Sequence, residues 1–184
     1  MCNKSCIEFG EQNLPEYEVE DAIILEVGSY NVNGSLRALA KERRCRLYIG
    51  IDIEAGQGVD IICKAENLLS RFGYNIFDIV ICTEMMEHIE DWQRVISNLK
   101  GVLKKKGLLI LTTRSKGFVI HGYPNDYWRY EVEDMEKIFS DFSAVRIEKD
   151  EFEPGVLVKA IKPINFVEND LTDYKLYSIE DERH

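Results

Sequence analysis

At 184 residues, with 45% hydrophobic and 30% charged side chains, the chain has the size and make-up of one globular domain able to bury a single substantial core. The formal charge of −10, from 33 acids against 23 bases, disfavours nucleic-acid phosphates as the main partner. The longest apolar runs, 22–27 and 108–111, are too short to span a bilayer.

The N-terminus has no basic stretch followed by an apolar core, so no secretory signal is read there and a cytoplasmic location is expected. Five cysteines are an odd number, and Cys45, Cys63 and Cys82 lie in or beside predicted secondary structure, which suits reduced thiols better than a disulfide framework. Cys2 and Cys6 have no further Cys or His nearby to complete a metal site, and the terminal segment reads as frayed.

From Ala22 onward, short apolar runs alternate with amphipathic stretches, as in βαβ units and a parallel sheet. Strands are expected at Ile23–Val27, Leu47–Asp52, 59–63, 77–82 and 108–112, each rich in Ile, Val or Leu as a strand covered on both faces requires. Helices are expected over 35–43, over 91–103 with Trp92, Val95, Ile96, Leu99, Val102 and Leu103 on one face, and over 131–142 through Val132, Met135, Ile138 and Phe139. Gly107 is read as the stop before the next strand. The basic clusters 41–46 and 104–106 fall at predicted helix ends, where cations suit the carbonyl terminus.

Only residues 54–58 separate the second and third strands, too few for a crossover helix, so that helix is expected to be absent or reduced. Two last strands, 144–148 and 156–161, flank Glu153-Pro154-Gly155 and should form an antiparallel hairpin at one edge. The whole chain, 1–184, is read as a single domain with a core over about 22–162. The acidic tail 163–184 carries Leu171, Tyr174, Leu176, Tyr177 and Ile179, which could dock.

The sharpest local signal runs from Ile24 to Leu36, Ile-Leu-Glu-Val-Gly-Ser-Tyr-Asn-Val-Asn-Gly-Ser-Leu. A buried strand ends at Glu26-Val27, and a Gly/Ser/Asn turn opens a helix whose first amides could hold a carboxylate. Asp52 closes the second strand, 24 residues after Gly28, where an acid can accept hydrogen bonds from ribose hydroxyls. A tight turn plus a surface acid is the plain structural reading of either motif by itself.

Taken with Gly50-Ile51-Asp52-Ile53, the run 77–89 and Gly107-Leu108-Leu109-Ile110-Leu111-Thr112-Thr113, these segments resemble, in order and spacing, the Rossmann-like S-adenosylmethionine-dependent methyltransferases over roughly residues 22–161. The resemblance implies an α/β fold with a mostly parallel sheet flanked by helices, S-adenosyl-L-methionine as cofactor and S-adenosyl-L-homocysteine as product. It implies that Glu26, Gly28, Ser29, Tyr30 and the loop to Gly34 surround the methionine part, that Asp52 holds the ribose and that Ile53 packs on the adenine. Ala65 and Glu66 would lie at the adenine edge, with Thr83 and Glu84 lining the cofactor after the fourth strand. The family's Gly-x-Gly-x-Gly is not intact: Tyr30 stands where a second glycine is common, and Asn31 or Asn33 could supply left-handed geometry.

The segment 115–130 concentrates His121, Tyr123, Tyr127, Trp128, Arg129 and Tyr130 beyond the fifth strand, on the side where α/β ligands bind. A similar Pro-x-Asp-Tyr-Trp-Arg run occurs in one branch of these methyltransferases. The segment reads either as a lid carrying acceptor contacts from Tyr123, Tyr127 and Arg129, or as a long loop anchored by Trp128 and Tyr130 with Arg129 paired to an acid. His121, then Asp126, are the candidate bases should the acceptor need deprotonation. Glu84, Glu87 and His88 have no second His or Cys close by in sequence, and no metal is expected. A small-molecule acceptor is expected, with a protein acceptor or partner as the alternative, and neither nucleic acid nor membrane. A catalytically silent binding module and a nucleotide-binding oxidoreductase are the competing readings; the latter lacks its usual Gly-x-Gly-x-x-Gly.

Overall fold

The computed structural model describes residues 3–122 and 125–179. Helices α1 (Lys4–Asn13) and α2 (Glu16–Val19) lead into strand β1 (Ile23–Val27), helix α3 (Arg37–Glu42), strand β2 (Leu47–Asp52) and the two-residue strand β3 (Ile61–Ile62). A 3-10 turn at Ala65–Asn67 opens helix α4 (Leu68–Phe72), then come strand β4 (Phe77–Thr83), a second 3-10 turn at Met86–His88, helix α5 (Trp92–Val102) and strand β5 (Leu103–Arg114). Strand β6 (Trp128–Arg129), helix α6 (Val132–Ile138), strands β7 (Ser143–Lys149) and β8 (Gly155–Ile161), and strand β9 (Tyr177–Ser178) complete the order.

Seven strands form one sheet in the order β3-β2-β1-β4-β5-β8-β7, parallel from β3 to β5 and antiparallel from β5 onward. Successive residues of the central strands face opposite layers. Val80 and Cys82 pack with α5, α6 and the tail, whereas Ile79 and Ile81 pack with α1 and α3. That two-sided burial is why the strands read as continuous apolar runs. Helix α5 forms where Trp92, Val95, Ile96, Leu99 and Val102 share one buried face and Asp91 accepts the Arg94 amide at its start.

Three local expectations are corrected. Cys2 lies outside the described residues, but from Asn3 onward the segment is not frayed: Asn3 caps α1 by accepting the Cys6 amide, and Cys6, Phe9, Gly10 and Asn13 bury one face at helical spacing. Gly107 does not begin strand β5. The strand starts at Leu103, and a register shift against β4 absorbs the lysine run, with Lys106 at φ 66. Lys104 pairs with Asp78 at 2.8 Å. Asn31 and Asn33 do not adopt left-handed backbone; in that loop Gly28 (φ 78) and Gly34 (φ 145) do.

No crossover helix separates β2 from β3, as the short link requires. Asp60 takes over part of the job of joining them, accepting the Gly50 amide at 2.7 Å and Arg37 Nη2 at 2.6 Å. The tail docks by burying Leu171, Leu176 and Ile179 and by pairing β9 with β6. Its anchor is Lys100, fully buried, whose Nζ donates to Asp141 at 2.6 Å and to Asn169 Oδ1 at 2.9 Å.

Candidate active site

Strands β1, β2 and β4 end at one edge of the sheet, and their C-terminal loops surround a cavity of about 740 Å3. Such an edge, outside the carboxyl ends of parallel strands, is where open α/β sheets hold ligands. One wall carries Asp52, Ile53, Ala65 and Glu66, and the opposite one His88, His121, Asn125 and Tyr127, with Gly28, Tyr30, Glu84 and Met85 between.

Gly28 forms the floor. A Cβ there would fall 2.7 Å from Met85 Cγ, and its φ of 78° is one that side chains rarely adopt. Tyr30, in place of a glycine, lays its ring over Gly56, where an added Cβ would meet Cε2 at 2.3 Å. The Tyr30 amide donates to Asp52 Oδ2 at 3.0 Å, while Asp52 Oδ1 accepts the Ile53 amide at 2.7 Å. These bonds fix the carboxylate at the end of β2, and each oxygen keeps acceptor capacity toward the cavity.

Of the residues expected around the cofactor, Gly28, Tyr30, Asp52, Ile53, Ala65, Glu66 and Glu84 line the cavity; Glu26, Ser29, Gly34 and Thr83 do not. Glu26 is buried one layer down, accepting Ser35 Oγ at 3.0 Å, and burial lifts its pKa to about 7 against the Ser35 and Tyr48 hydroxyls and Arg37. Ser29 and Thr83 are likewise buried. The loop amides are engaged inside the protein, Gly28 and Ser29 donating to the Ile51 carbonyl and Gly34 to Asn31 Oδ1, and at the helix start, where amides are expected to take a carboxylate, the Arg37 amide donates to Ser35 Oγ at 3.1 Å. Each of these loop donors is satisfied because the turn packs against β2 instead of opening toward solvent.

Glu84, at φ 52, meets Arg114 Nε in an ion pair and accepts Thr112 Oγ1 at 2.8 Å. Burial, then the neighbouring Glu87, push its carboxyl well above the usual range, against the pull of Arg114. Cys6 Sγ reaches the same network, 3.0 Å from Thr112 Oγ1, so α1 braces this wall. No cue near Cys6 in sequence linked it to Glu84; the contact joins elements at opposite ends of the chain.

Four described residues of the segment 115–130 border the cavity. His121, Gly122, Asn125 and Tyr127 face the cavity, while Trp128 Nε1 donates to the Ile89 carbonyl and Tyr130 Oη to that of Met86. Tyr123 lies outside the described residues. Arg129, expected among the acceptor contacts, is fully buried and away from the cavity. It grips Asp126 with two bonds, 2.5 and 2.9 Å, because a guanidinium in the interior needs a matched carboxylate. Burial pushes the Asp126 carboxyl up, but Arg129 and the His121 amide outweigh it and leave its pKa below the ordinary value. Held in that way, Asp126 is a poor base; it orients His121, accepting its Nδ1 at 3.2 Å. Burial and then His88 lower the His121 pKa, which favours the neutral ring.

S-adenosylmethionine fits this cavity on chemical grounds. Three carboxylates (Asp52, Glu66 and Glu90) line it with one lysine, Lys64, a balance that suits a cationic sulfonium and ammonium and opposes a pyrophosphate. Val27, Ile51, Ile53 and Ala65 offer apolar walls to an adenosine, beside acids able to accept from hydroxyls and an amine.

The comparisons with known proteins agree. Residues 4–149 match the family described as methyltransferase domain. The fold is that of solved methyltransferases: Burkholderia thailandensis 1,6-didemethyltoxoflavin-N1-methyltransferase, solved with 1,6-didemethyltoxoflavin and S-adenosylhomocysteine, superposes with a TM-score of 0.69 at 13% identity, covering 85% of this chain and 78% of that one. Magnesium protoporphyrin IX methyltransferase from Synechocystis, solved with S-adenosylhomocysteine, gives 0.62 at 16% identity over 85% and 81%. In sequence, ubiquinone biosynthesis O-methyltransferase of Rickettsia felis is 45% identical over 38 residues, 21% of this chain and only 16% of that protein. The chain belongs to the methyltransferase-domain family and has the Rossmann-like fold of these solved methyltransferases.

Proposed function

We propose that the protein transfers a methyl group from S-adenosylmethionine to a small-molecule acceptor that enters beneath residues 115–130. The observation that carries this reading is the shape of the site. A cavity of about 740 Å3 has the volume of a small-molecule pocket, and a wall of mixed aromatic and polar side chains (His121, Asn125 and Tyr127) closes it opposite Asp52. The bound cofactor supplies a methyl group already activated as a sulfonium, so alignment is the protein's main task and can contribute on the order of 7–11 kcal/mol. Asp52, with Glu66, accepts from the polar groups of the adenosine, Ile53 and Ala65 flank it, and Glu84 faces the sulfonium end. Tyr127 and His121 contact the acceptor, and His121, neutral and oriented by Asp126, is the group able to accept a proton at Nε2 from an acceptor that must lose one.

A whole-chain single domain and a cytoplasmic location belong to the same reading. In support of them, none of Cys6, Cys45, Cys63 and Cys82 forms a disulfide, and no described helix is long and apolar enough to cross a membrane.

Ligand-dependent melting tests the cofactor assignment. S-adenosylhomocysteine at 100 times its dissociation constant should stabilise the fold by about 2.7 kcal/mol. A shift with NAD and none with S-adenosylhomocysteine would overturn it. Turnover on a panel of small hydroxylated, amino and thiol acceptors tests the rest. Cofactor binding with no methyl transferred to any small molecule would instead favour a silent binding module.

A further inference from the structure

The sequence places a single histidine beside Glu84 and Glu87; the fold brings a second. His121, on the segment bordering the cavity, stacks edge-on against His88 with ring centroids 4.8 Å apart. The Nε2 atoms of both rings lie 3.8 Å from Glu87 Oε1, and the three donor atoms are all within 4.8 Å of one another.

Hydrogen bonds behind the rings fix what those atoms offer. His88 Nδ1 meets the Asn125 carbonyl oxygen at 2.5 Å, and His121 Nδ1 meets the Asp126 carboxylate at 3.2 Å. Both partners only accept, so in each neutral ring Nδ1 carries the hydrogen and Nε2 presents a lone pair. Glu87 is fully buried; Thr113 Oγ1 donates to its Oε2 at 2.9 Å, but among the described residues Oε1 has no hydrogen-bond partner. Three lone-pair donors therefore converge with no donor hydrogen among them, and 3.8 Å is too long for a hydrogen bond. A buried carboxylate oxygen left in that state is costly, and a cation between the three atoms removes the cost.

We propose that Glu87, His88 and His121 bind one divalent transition-metal ion. Two imidazoles and one carboxylate match zinc, cobalt or manganese better than magnesium or calcium, which favour all-oxygen shells. Zinc bonds of about 2.0–2.2 Å ask each donor to move by only a few tenths of an ångström. The supports are those of a metal site: a carbonyl behind one imidazole and a carboxylate, itself held by Arg129, behind the other. Since His88 and His121 both line the cavity, the coordination positions left open by three protein ligands face what occupies it, and with the ion bound His121 Nε2 is a ligand, so the proton-accepting role proposed above belongs to the metal-free protein alone.

The test needs neither cofactor nor acceptor, so its outcome is independent of the methyl-transfer reading. The full chain, stripped with chelator, is titrated with Co2+ and followed by visible absorption, and with Zn2+ by calorimetry, with Mg2+ as the control ion. One Co2+ or Zn2+ per chain is expected, without a thiolate charge-transfer band, and Mg2+ should bind far more weakly. His121→Ala, a half-exposed position, should lower Zn2+ affinity at least tenfold while metal-free melting stays unchanged. If that variant fails to fold, His88→Asn serves in its place with the same expected loss. Absence of stoichiometric binding, a thiolate band, or unchanged affinity in a folded histidine variant would each overturn the proposal.

Discussion

Ser35 Oγ stands 3.0 Å from both carboxylate oxygens of Glu26, so the opening of the helical segment is tied to the acid at the end of β1. Burial raises the Glu26 pKa from 4.5 to about 7. The folded protein therefore holds this proton more tightly than the unfolded chain. The stability it contributes is fully present below about pH 4.5 and is lost as pH rises through about 7. At about 1.36 kcal/mol per pKa unit, the loss is about 3 kcal/mol at most. Glu26→Gln, neutral throughout, should flatten this part of the curve in urea unfolding at pH 5 and pH 8. Identical pH slopes for the two proteins would show that Glu26 does not titrate in that window.

Asp52 accepts the Tyr30 and Ile53 amides and still faces the cavity. Asp52→Ala should weaken S-adenosylhomocysteine binding by about 1–3 kcal/mol, read by calorimetry. Asp52→Asn keeps an acceptor for the Tyr30 amide and should lose less. Unchanged affinity in the alanine variant would mean that the ribose is held elsewhere.

Gly28 combines a φ of 78° with a Cβ position 2.9 Å from Met85 Cβ. Gly28→Ala should cost about 1–3 kcal/mol of stability and also reduce cofactor affinity, since the floor of the cavity must shift. Adding Met85→Ala removes the contact with Met85 Cγ at 2.7 Å but neither the Cβ contact nor the backbone strain, so recovery in chemical denaturation should be partial. Full recovery would assign the whole cost to crowding.

Arg129 and Tyr127 sit two residues apart and should fail in different ways. Arg129→Met leaves Asp126 buried without its partner and should cost about 3–5 kcal/mol of stability. Tyr127→Ala should leave cofactor affinity nearly intact and lower kcat/KM once an acceptor is known. A stable Arg129→Met protein with only a raised KM would return Arg129 to the acceptor contacts.

Much of this molecule was legible before folding. Strands β1, β2, β4 and β8 read directly because each is buried on both faces, which forces a run of Ile, Val and Leu that no exposed segment tolerates. Asp52 was legible for a related reason: an acid closing such a strand has little use unless something polar lies beyond it. Helix α1 carried a readable signal in the Asn3 cap and the spacing of Cys6, Phe9, Gly10 and Asn13, but terminal position and the cysteine pair outweighed it.

The sequence by itself determined the main strands and the helices α3, α5 and α6, because those follow from local periodicity, while the class of ligand at the sheet edge came from the resemblance carried by the ordered motifs. Which way a buried polar side chain points was decided only by the tertiary structure. Arg129 turns inward because Asp126 is there to receive it, Glu26 is withdrawn beneath Ser35, and His121 meets His88 and Glu87 across the mouth of the cavity. A charged group in the interior is held by whichever partner the packing brings within reach, and that partner leaves no periodic trace in the chain.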